Sequence, residues 1–312
     1  MDALHDTTLS AEARAEAAAA QMTLEEKVSQ LMSTSPAIER LGIPAYQWWN
    51  ECLHGLARAG VATVFPQAIG LAAMFDTKGM YDAASAISDE IRGKYNDYQS
   101  IGARDLYKGL TEYAPNINIF RDPRWGRGHE TYGEDPFLTA ETAVAFIRGL
   151  QGDPALPFRK AAATVKHYAV HSGPEGARHE IDVKIGPKEL HETYLYAFAR
   201  CIRDADVSSV MTAYNRVNSE PCSGSRELVQ TILRRELGFR GIVLSDAFAI
   251  DDFHLHHKVT KTPAESAAMA FNAGCELNVG TTYAHLTEAV REGLVREADI
   301  DAAVVKLLTE RI

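Results

Sequence analysis

The sequence predicts an α/β fold, a (β/α)8-type TIM barrel, from two observations. Short apolar segments with the length of buried strands alternate about seven or eight times with segments of helical periodicity along the 312 residues. Such alternation implies a parallel sheet, and at this chain length a closed barrel is favoured over an open sheet. The GxGxxG turn of open dinucleotide-binding sheets is also absent after the first strand. We therefore expect one barrel domain over residues 10–312, preceded by a tail of residues 1–9.

Helices are predicted where capping signals meet apolar periodicity. Residues 10–21 are rich in Ala and Glu, and Thr23 with Glu26 three residues later forms a capping box that starts a second helix. The same reasoning places later helices at about residues 77–95, 136–151 and 187–204, after Ser225, after Thr262, and twice more near the C-terminal end.

The predicted strands are short, and nearly every one ends in a reactive side chain. They cover residues 64–75, 115–120, 161–165, 207–211, 242–245 and 276–279. The reactive residues near these ends are Glu51, Arg127, Lys166 with His167, Tyr214 and Asp246. In a parallel barrel the carboxyl ends of the strands open into the active site, whereas structural acids and bases would scatter to both ends. The pattern therefore predicts a site at that end of the barrel.

Asp246 has two candidate roles. It follows the apolar segment 242–245 directly, where a charge is placed for chemistry. The alternative is that it caps the segment that follows, a common role for Asp. The local sequence does not separate these two roles.

Composition argues against several classes of partner. The formal net charge of -10 disfavours a nucleic acid or an anionic membrane surface, since both attract clustered Lys and Arg. No apolar run approaches the roughly 18 to 20 residues needed to cross a bilayer. No export signal is visible at the N-terminal end, so we expect a cytoplasmic protein, or a periplasmic or secreted one whose signal has been removed.

Neither metal nor cofactor is predicted. The four cysteines, Cys52, Cys201, Cys222 and Cys275, form no CxxC pair and are expected to be reduced and mostly buried. The run of His254, His256 and His257 has no acidic or Cys partner at ligand spacing and is expected to lie in a solvated loop.

Aromatic and polar residues are mixed in a way that suits a sugar. Trp48 and Trp49 stand beside Asn50, Glu51 and His54. A sugar ring has apolar C–H faces and a rim of hydroxyls, so aromatic faces beside hydrogen-bonding groups fit it well. We expect one of the two tryptophans to belong to the core instead.

Six motifs together resemble glycoside hydrolase family 3, in particular its β-xylosidase and β-glucosidase-like members. They are WWNECLHG, FPQAIGLAAMFD, PNINIFRDPRWGRGHETYGEDP, KHYAVHSGPEGARHEID, VMTAYNRVNSEPCSGS and GFRGIVLSDAFAI, and the match spans residues 24–308. The resemblance implies that Asp246 is the nucleophile of a retaining mechanism. It also implies that the glycone is held by Arg127, Lys166, His167, Arg178 and Tyr214. Glu51 stands where many members carry a sugar-binding Asp, and Glu there is similar to the xylosidase branch.

The chemistry of a retaining glycosidase agrees with this resemblance. Its nucleophile must be ionised, and we expect Lys166, Arg127 and Arg178 to keep the pKa of Asp246 low. Additional candidates for the site are Trp49, Arg124, Glu130, His179 and Phe248. Arg124 and Glu130 have a structural alternative, which is to brace their loop through an ion pair. Many relatives carry Trp or Cys where this chain has Ala247, so Phe248 is expected to supply a stacking wall.

The catalytic acid/base is the main gap in the resemblance. Family members usually continue into an α/β sandwich domain that supplies this residue, and we expect this chain to lack that domain and the acid. Such a barrel, whether a fragment, a natural truncation or a subunit, would bind its oligosaccharide but turn over poorly, because general acid assistance contributes about 10² to 10⁴ in rate. A separate sandwich domain or another subunit is the expected partner.

Two other functions remain open from the sequence. The β-N-acetylglucosaminidase branch uses a His at a distance after the Lys-His pair that His179 matches, but Ala177 stands before Arg178 and no Asp partner for His179 is expected. The last alternative is a non-catalytic carbohydrate-binding or regulatory barrel. The favoured expectation is a β-xylosidase acting at the non-reducing end of β-linked xylo- or gluco-oligosaccharides.

Overall fold

The computed structural model describes residue 4 and residues 6–312, so the predicted tail lies partly outside the described residues. Two helices open the domain. The first, α1 (Ala11–Ala19), is capped by the Ser10 side chain, and α2 (Leu24–Gln30) begins at the predicted capping box, with both of its reciprocal hydrogen bonds formed. Helix α1 packs against the last helix of the chain, α11 (Glu297–Arg311), and so joins the two ends of the domain.

Four parallel strands form the centre of the barrel. In sheet order they are β3 (Thr111–Glu112), β4 (Ala162–Tyr168), β6 (Ser209–Thr212) and β9 (Ile242–Leu244). All four strands are buried along their whole length, as expected for parallel strands covered on both faces.

Single backbone pairings close the sheet into a ring. Leu244 pairs with Leu277, Asn278 pairs with Met32, and Asn50 pairs with Glu112, all in parallel. The last gap is closed by β1 (Thr34–Ser35) and β2 (Tyr46–Gln47), which pair in antiparallel fashion.

The predicted α/β barrel is therefore confirmed, with one departure from the eightfold ideal. Within the described residues the ring has seven backbone segments, and one of its contacts is antiparallel. The reason is the length of the connection over residues 36–45. A parallel crossover needs a dozen or more residues, usually including a helix, whereas a shorter connection returns the chain antiparallel.

Helices pack around this ring. The longer ones are α4 (Thr77–Ser100), α5 (Pro136–Gln151), α7 (Tyr196–Ala205), α9 (Pro263–Ala273) and α10 (Leu286–Arg291), and the short ones are α3 (Ala68–Ala72), α6 (Pro187–Glu189) and α8 (Asp252–Leu255). Two π-helical segments, Leu190–Tyr194 and Glu227–Glu236, complete the helical layer. A small sheet of β5 (Asp182–Val183), β7 (Arg216–Val217) and β8 (Glu220–Pro221) lies outside the ring.

Several strand predictions differ from the structure. The prediction for residues 64–75 is wrong, because the segment holds α3, whose Ala68, Leu71 and Ala72 are buried at helical spacing while Phe75 is 78% exposed. Residues 115–120 form no regular strand, and the strand there is β3, a few residues earlier. Strand β4 extends beyond its predicted end and includes Lys166 and His167.

Other features of the described residues bear on the sequence analysis. All four cysteines are buried and unpaired, as predicted. His257 contradicts the expectation of a solvated loop, because it is 6% exposed and its ring stacks on Phe253. Burial lowers the pKa of His257 to about 4. Within the described chain no helix has the length and apolarity to cross a membrane, and no group of three potential ligands is placed to hold a metal.

Candidate active site

A cavity of about 910 Å³ lies at the carboxyl ends of the barrel strands. Its lining includes the predicted nucleophile and all six predicted sugar-binding residues, together with two of the five additional candidates. These lining residues are Asp246, Glu51, Arg127, Lys166, His167, Arg178, Tyr214, Trp49 and Glu130. The barrel topology thus brings together side chains that are as far as 197 positions apart in the sequence, from Trp49 to Asp246.

Asp246 lies two residues after β9, and its side chain is buried. The Ala247 N–H donates to its Oδ1 at 2.8 Å. The other oxygen, Oδ2, lies 3.4 Å from His167 Nε2 and has no hydrogen-bond partner among the described residues. The next helix, α8, begins only at Asp252, so Asp246 does not cap a helix. The structure therefore places the carboxylate at the cavity wall with one oxygen uncommitted.

Burial raises the pKa of Asp246, and this outweighs the charges of Arg127 and Lys166, which act to lower it. The Ala247 N–H and the Tyr214 hydroxyl also favour the ionised form. The expectation that the cations keep the pKa of Asp246 low is therefore wrong in direction. The physical reason is that desolvation of this buried carboxylate raises its pKa by more than the neighbouring charges and hydrogen-bond donors lower it.

Lys166 and His167 are consecutive in β4, yet both line the cavity. Side chains normally alternate between the faces of a strand, but the pairing of β4 with β6 shifts register between Val165 and Tyr168. Such an irregularity re-aims side chains next to a site. It explains how one strand supplies two adjacent site residues.

His167 is a neutral imidazole with a defined tautomer. Its Nδ1 lies 2.8 Å from Asn118 Oδ1, which also accepts a hydrogen bond from the His167 backbone N–H at 3.0 Å. Nδ1 must therefore carry the proton and donate it to this acceptor. Burial, reinforced by Arg127, lowers the pKa of His167 well below its usual value. Its Nε2 is thus an acceptor that faces Asp246 and the cavity.

Glu51 is held by two neighbours. Its Oε1 accepts a hydrogen bond from Trp49 Nε1 at 2.9 Å, and its Oε2 lies 3.7 Å from Lys166 Nζ. The Trp49 indole stacks on the Tyr113 ring, with centroids 6.3 Å apart. Trp48 instead is 2% exposed, so one of the two tryptophans belongs to the core as expected. Together these groups form a wall with an aromatic face and a carboxylate edge.

Arg127 and Glu130 form a two-point ion pair at the cavity wall, with nitrogen–oxygen distances of 2.9 and 2.8 Å. Burial acts to raise the pKa of Glu130, but the Arg127 guanidinium outweighs it and the pKa is lowered. Arg124 is placed differently. Its guanidinium pairs with Asp122 at 2.8 Å, its side chain is 74% exposed, and it lies outside the cavity lining. For Arg124 the structure therefore shows the bracing ion pair.

His179 and Phe248 lie outside the cavity lining. The His179 ring packs edge-on against Tyr214, with centroids 4.8 Å apart, and its Nδ1 lies 2.8 Å from Asp252 Oδ2. The expectation that His179 has no Asp partner is therefore wrong, because the partner comes from α8, 73 positions away. Phe248 is 52% exposed and adopts a positive φ of 60°.

Sequence reasoning missed several lining residues. Those outside the predicted set include Leu53, His54, Arg58, Gln67, Tyr113 and His129. His54 could have been predicted as a site residue, since it belongs to the aromatic and polar mixture around Glu51. Arg58 and Gln67 lie on the long connection before α3 and carry no periodic signal.

Comparison with known proteins agrees with this geometry. The family model described as the glycosyl hydrolase family 3 N-terminal domain matches residues 9–310. This chain belongs to glycosyl hydrolase family 3. Among its curated family 3 relatives, a xylan 1,4-β-xylosidase of Xylanibacter ruminicola is 44% identical over 97% of this chain and 36% of its own length. A probable β-D-xylosidase 7 of Arabidopsis thaliana is 39% identical over 96% of this chain and 41% of its own length.

Solved family 3 structures share the fold. An exo-β-xylosidase in complex with a xylobiose aziridine activity-based probe matches with a TM-score of 0.92 and 34% identity, over 98% of this chain and 41% of that one. A β-glucosidase of Listeria innocua in complex with isofagomine matches with a TM-score of 0.80 and 27% identity, over 96% and 45%. This chain thus spans about two fifths of the length of these relatives.

Proposed function

We propose that this chain is the nucleophile-bearing barrel of a retaining β-glycosidase that removes xylosyl units from the non-reducing end of β-linked xylo-oligosaccharides. The observation that carries the proposal is the Asp246 carboxylate, which lines a cavity together with cations and hydroxyl-binding groups and whose Oδ2 has no hydrogen-bond partner among the described residues. Xylose is favoured over glucose because the two curated relatives above are named as xylosidases and the xylosidase structure superimposes better than the β-glucosidase.

The reaction proceeds in two displacements at the anomeric carbon. In the first, a carboxylate oxygen of Asp246 forms a bond to that carbon while the bond to the leaving oxygen breaks, and the leaving oxygen keeps the electron pair and takes a proton from an acid. In the second, a water oxygen attacks the same carbon, the ester bond to Asp246 breaks, and a base takes the proton of the water. Two inversions give net retention of configuration.

The cavity residues supply complementary contacts to the glycone. Glu51 and His167 Nε2 accept hydrogen bonds from sugar hydroxyls, and Lys166 and Arg178 donate to hydroxyl oxygens. Trp49 gives an apolar wall for a C–H face of the ring. Such contacts hold the anomeric carbon within reach of Asp246, which converts the attack into an effectively unimolecular step.

We infer that the proton donor for the leaving group is not one of the carboxyl groups that line this cavity. Asp246 is the nucleophile, Glu51 contacts Trp49 and Lys166, and Glu130 is kept ionised by its two-point pair with Arg127. This supports a donor contributed by a further domain or another subunit.

Substrates with different leaving groups test this inference. The dinitrophenolate group of a dinitrophenyl xyloside leaves without needing a proton, so this chain should hydrolyse that substrate. Turnover of xylobiose should be slower by the roughly 10² to 10⁴ that general acid assistance contributes. Equal efficiency on the two substrates would show that the donor lies in this chain. The matched dinitrophenyl glucoside measures the preference for xylose.

A non-catalytic carbohydrate-binding barrel is the competing function, and the ion-paired state of Glu51 and Glu130 is the observation in its favour. Incubation with a dinitrophenyl 2-deoxy-2-fluoro-β-xyloside separates the two functions, because a retaining enzyme accumulates the glycosyl ester. Intact-mass spectrometry should show one added fluoroxylosyl group in the wild type and none in Asp246→Asn. An unmodified wild type that still binds xylose would establish the binding protein instead.

A further inference from the structure

Three side chains form a chain of hydrogen bonds behind the cavity wall. Asp252 Oδ2 lies 2.8 Å from His179 Nδ1, and Arg178 Nε lies 3.2 Å from His179 Nε2. Asp252 is 4% exposed, whereas His179 and Arg178 are partly exposed. Of the three residues, Arg178 alone lines the cavity.

The partners fix the protonation of His179. Nδ1 faces a carboxylate and must donate, whereas Nε2 faces a guanidinium N–H, which has no acceptor capacity, and must accept. His179 is therefore a neutral imidazole with its proton on Nδ1 in this arrangement. An acid that donates to a leaving group from Nε2 would need a proton on that nitrogen, where Arg178 already donates.

Arg178 and His179 together hold Tyr214. The Arg178 guanidinium lies 5.0 Å from the Tyr214 ring centroid, and the His179 ring packs edge-on against the same phenol. Tyr214 lines the same cavity as Asp246, and its hydroxyl acts to lower the pKa of that carboxyl. A change at Asp252 is thus connected to the nucleophile through three intervening side chains.

We propose that Asp252 and His179 are positioning residues, which orient Arg178 for glycone binding and Tyr214 for its contact with Asp246, and that His179 is not the catalytic acid. This inference rests on the proposed function for its substrate, and on the hydrogen-bond geometry for its residues. Orientation by a carboxylate through an imidazole is effective here because Asp252 is buried and fixed by its place at the start of α8.

Two substitutions of His179 separate its two hydrogen bonds. His179→Asn keeps a donor at the position of Nδ1 and removes the acceptor for Arg178. His179→Gln reaches the position of Nε2, keeps that acceptor and gives up the contact with Asp252. Asp252→Asn retains an acceptor oxygen for His179 Nδ1. It is the conservative substitution at Asp252, the buried end of the chain of hydrogen bonds.

The readout is the inactivation rate with the dinitrophenyl 2-deoxy-2-fluoro-β-xyloside. His179→Asn should lower the rate at low reagent by about tenfold to about a hundredfold, the range for losing a hydrogen bond to a charged group. The loss should appear in the half-saturating concentration, since Arg178 contacts the glycone before and during attack. Asp252→Asn should retain most of the rate. His179→Gln should lose less than His179→Asn, because it keeps the acceptor for Arg178 and gives up only the contact with Asp252.

His256→Gln is the matched control. His256 Nε2 lies 3.7 Å from the other oxygen of Asp252, and its ring centroid lies 5.7 Å from that of His179, but His256 lies outside the cavity lining. This variant should inactivate at the wild-type rate. Melting temperatures of all variants identify any that fail to fold.

Several outcomes would overturn the inference. An unchanged rate in His179→Asn would do so, and it is the result expected of an acid, because this leaving group needs no proton. Equal losses in His179→Asn and His179→Gln would also overturn it. If the wild type is not inactivated, the proposed function is refuted. Calorimetry with xylose then tests the positioning role separately, because His179→Asn should weaken xylose binding more than His179→Gln.

A second measurement does not depend on activity. The ¹⁵N chemical shifts of the His179 ring in the wild-type protein report which nitrogen carries the proton. We expect the Nδ1–H tautomer, with its loss in Asp252→Ala. A proton on Nε2 in the wild type would refute the chain of hydrogen bonds directly.

Discussion

Glu112 is predicted to be a neutral acid beneath the active site at pH 7. It ends β3 and is fully buried beside Tyr113, which lines the cavity, and neither of its carboxyl oxygens has a hydrogen-bond partner in the described part of the chain. Burial raises the pKa of Glu112 from 4.5 to about 8. The thiol of Cys52 acts to lower it and the charge of Glu51 acts to raise it further. The perturbation that tests this is Glu112→Gln, which has no charge at any pH.

The size of the effect follows from proton linkage. Between pH 4.5 and about 8 the unfolded chain has released this proton while the folded chain still holds it. The contribution of Glu112 to stability is therefore fully present below 4.5 and is lost as the pH rises to about 8. The free energy of unfolding falls by about 1.4 kcal/mol for each pH unit in this window, for a total of at most about 5 kcal/mol.

Urea unfolding of the wild type and Glu112→Gln from about pH 5 to about pH 9 measures this difference. The variant should gain stability relative to the wild type as the pH rises, and the gain should level off near pH 8. Glu292→Gln, at an exposed position, is the control and should show no such trend. Parallel stability curves for the wild type and Glu112→Gln would mean that Glu112 is ionised in the folded protein, and would refute the reasoning.

Three further predictions concern the cavity. Asp246→Asn removes a carboxylate whose pKa burial raises, so it should melt above the wild type at pH 7, by about 1.5 °C for each kcal/mol relieved. This gain should vanish as the pH falls below 3.8, and a lower melting temperature at pH 7 would contradict the raised pKa. Lys166→Met should weaken xylose binding in calorimetry by about tenfold to about a hundredfold. Arg124→Met, which breaks only the exposed pair with Asp122, should leave the affinity unchanged. Equal losses in the two variants would refute the placement of Lys166 inside the sugar site and Arg124 outside it. Tyr214→Phe removes an interaction that lowers the Asp246 pKa, so the pH of half-maximal inactivation should rise, and an absent or downward shift would disprove that contact.

Features with a local cause could be predicted from the sequence. The capping box of Thr23 and Glu26 starts α2 through hydrogen bonds within four residues, and Pro136 starts α5 in the same local way. The convergence of Lys166 and Asp246 was also predictable, because a parallel barrel places all strand ends at one edge. The order of strands and helices along the sequence was sufficient to predict this topology.

Features that depend on the folded surroundings could not be predicted in this way. The periodicity of the apolar run 64–75 is compatible with a strand or a helix. The folded protein forms helix α3 there, with Leu71 buried. The pairing of His179 with Asp252 joins a loop to the start of α8, 73 positions apart, and leaves no signal in either segment. The pKa of Asp246 depends on the balance between burial and nearby charge, and the sequence reveals the charges but not the depth of burial.

The identity of the nucleophile is the claim on which the proposed function depends. Peptide mapping by tandem mass spectrometry after inactivation with the 2-fluoro xyloside locates the sugar on a single residue. We predict the adduct on Asp246, within the peptide that follows β9. An adduct on Glu51 or Glu130, with Asp246 unmodified, would contradict the proposed mechanism.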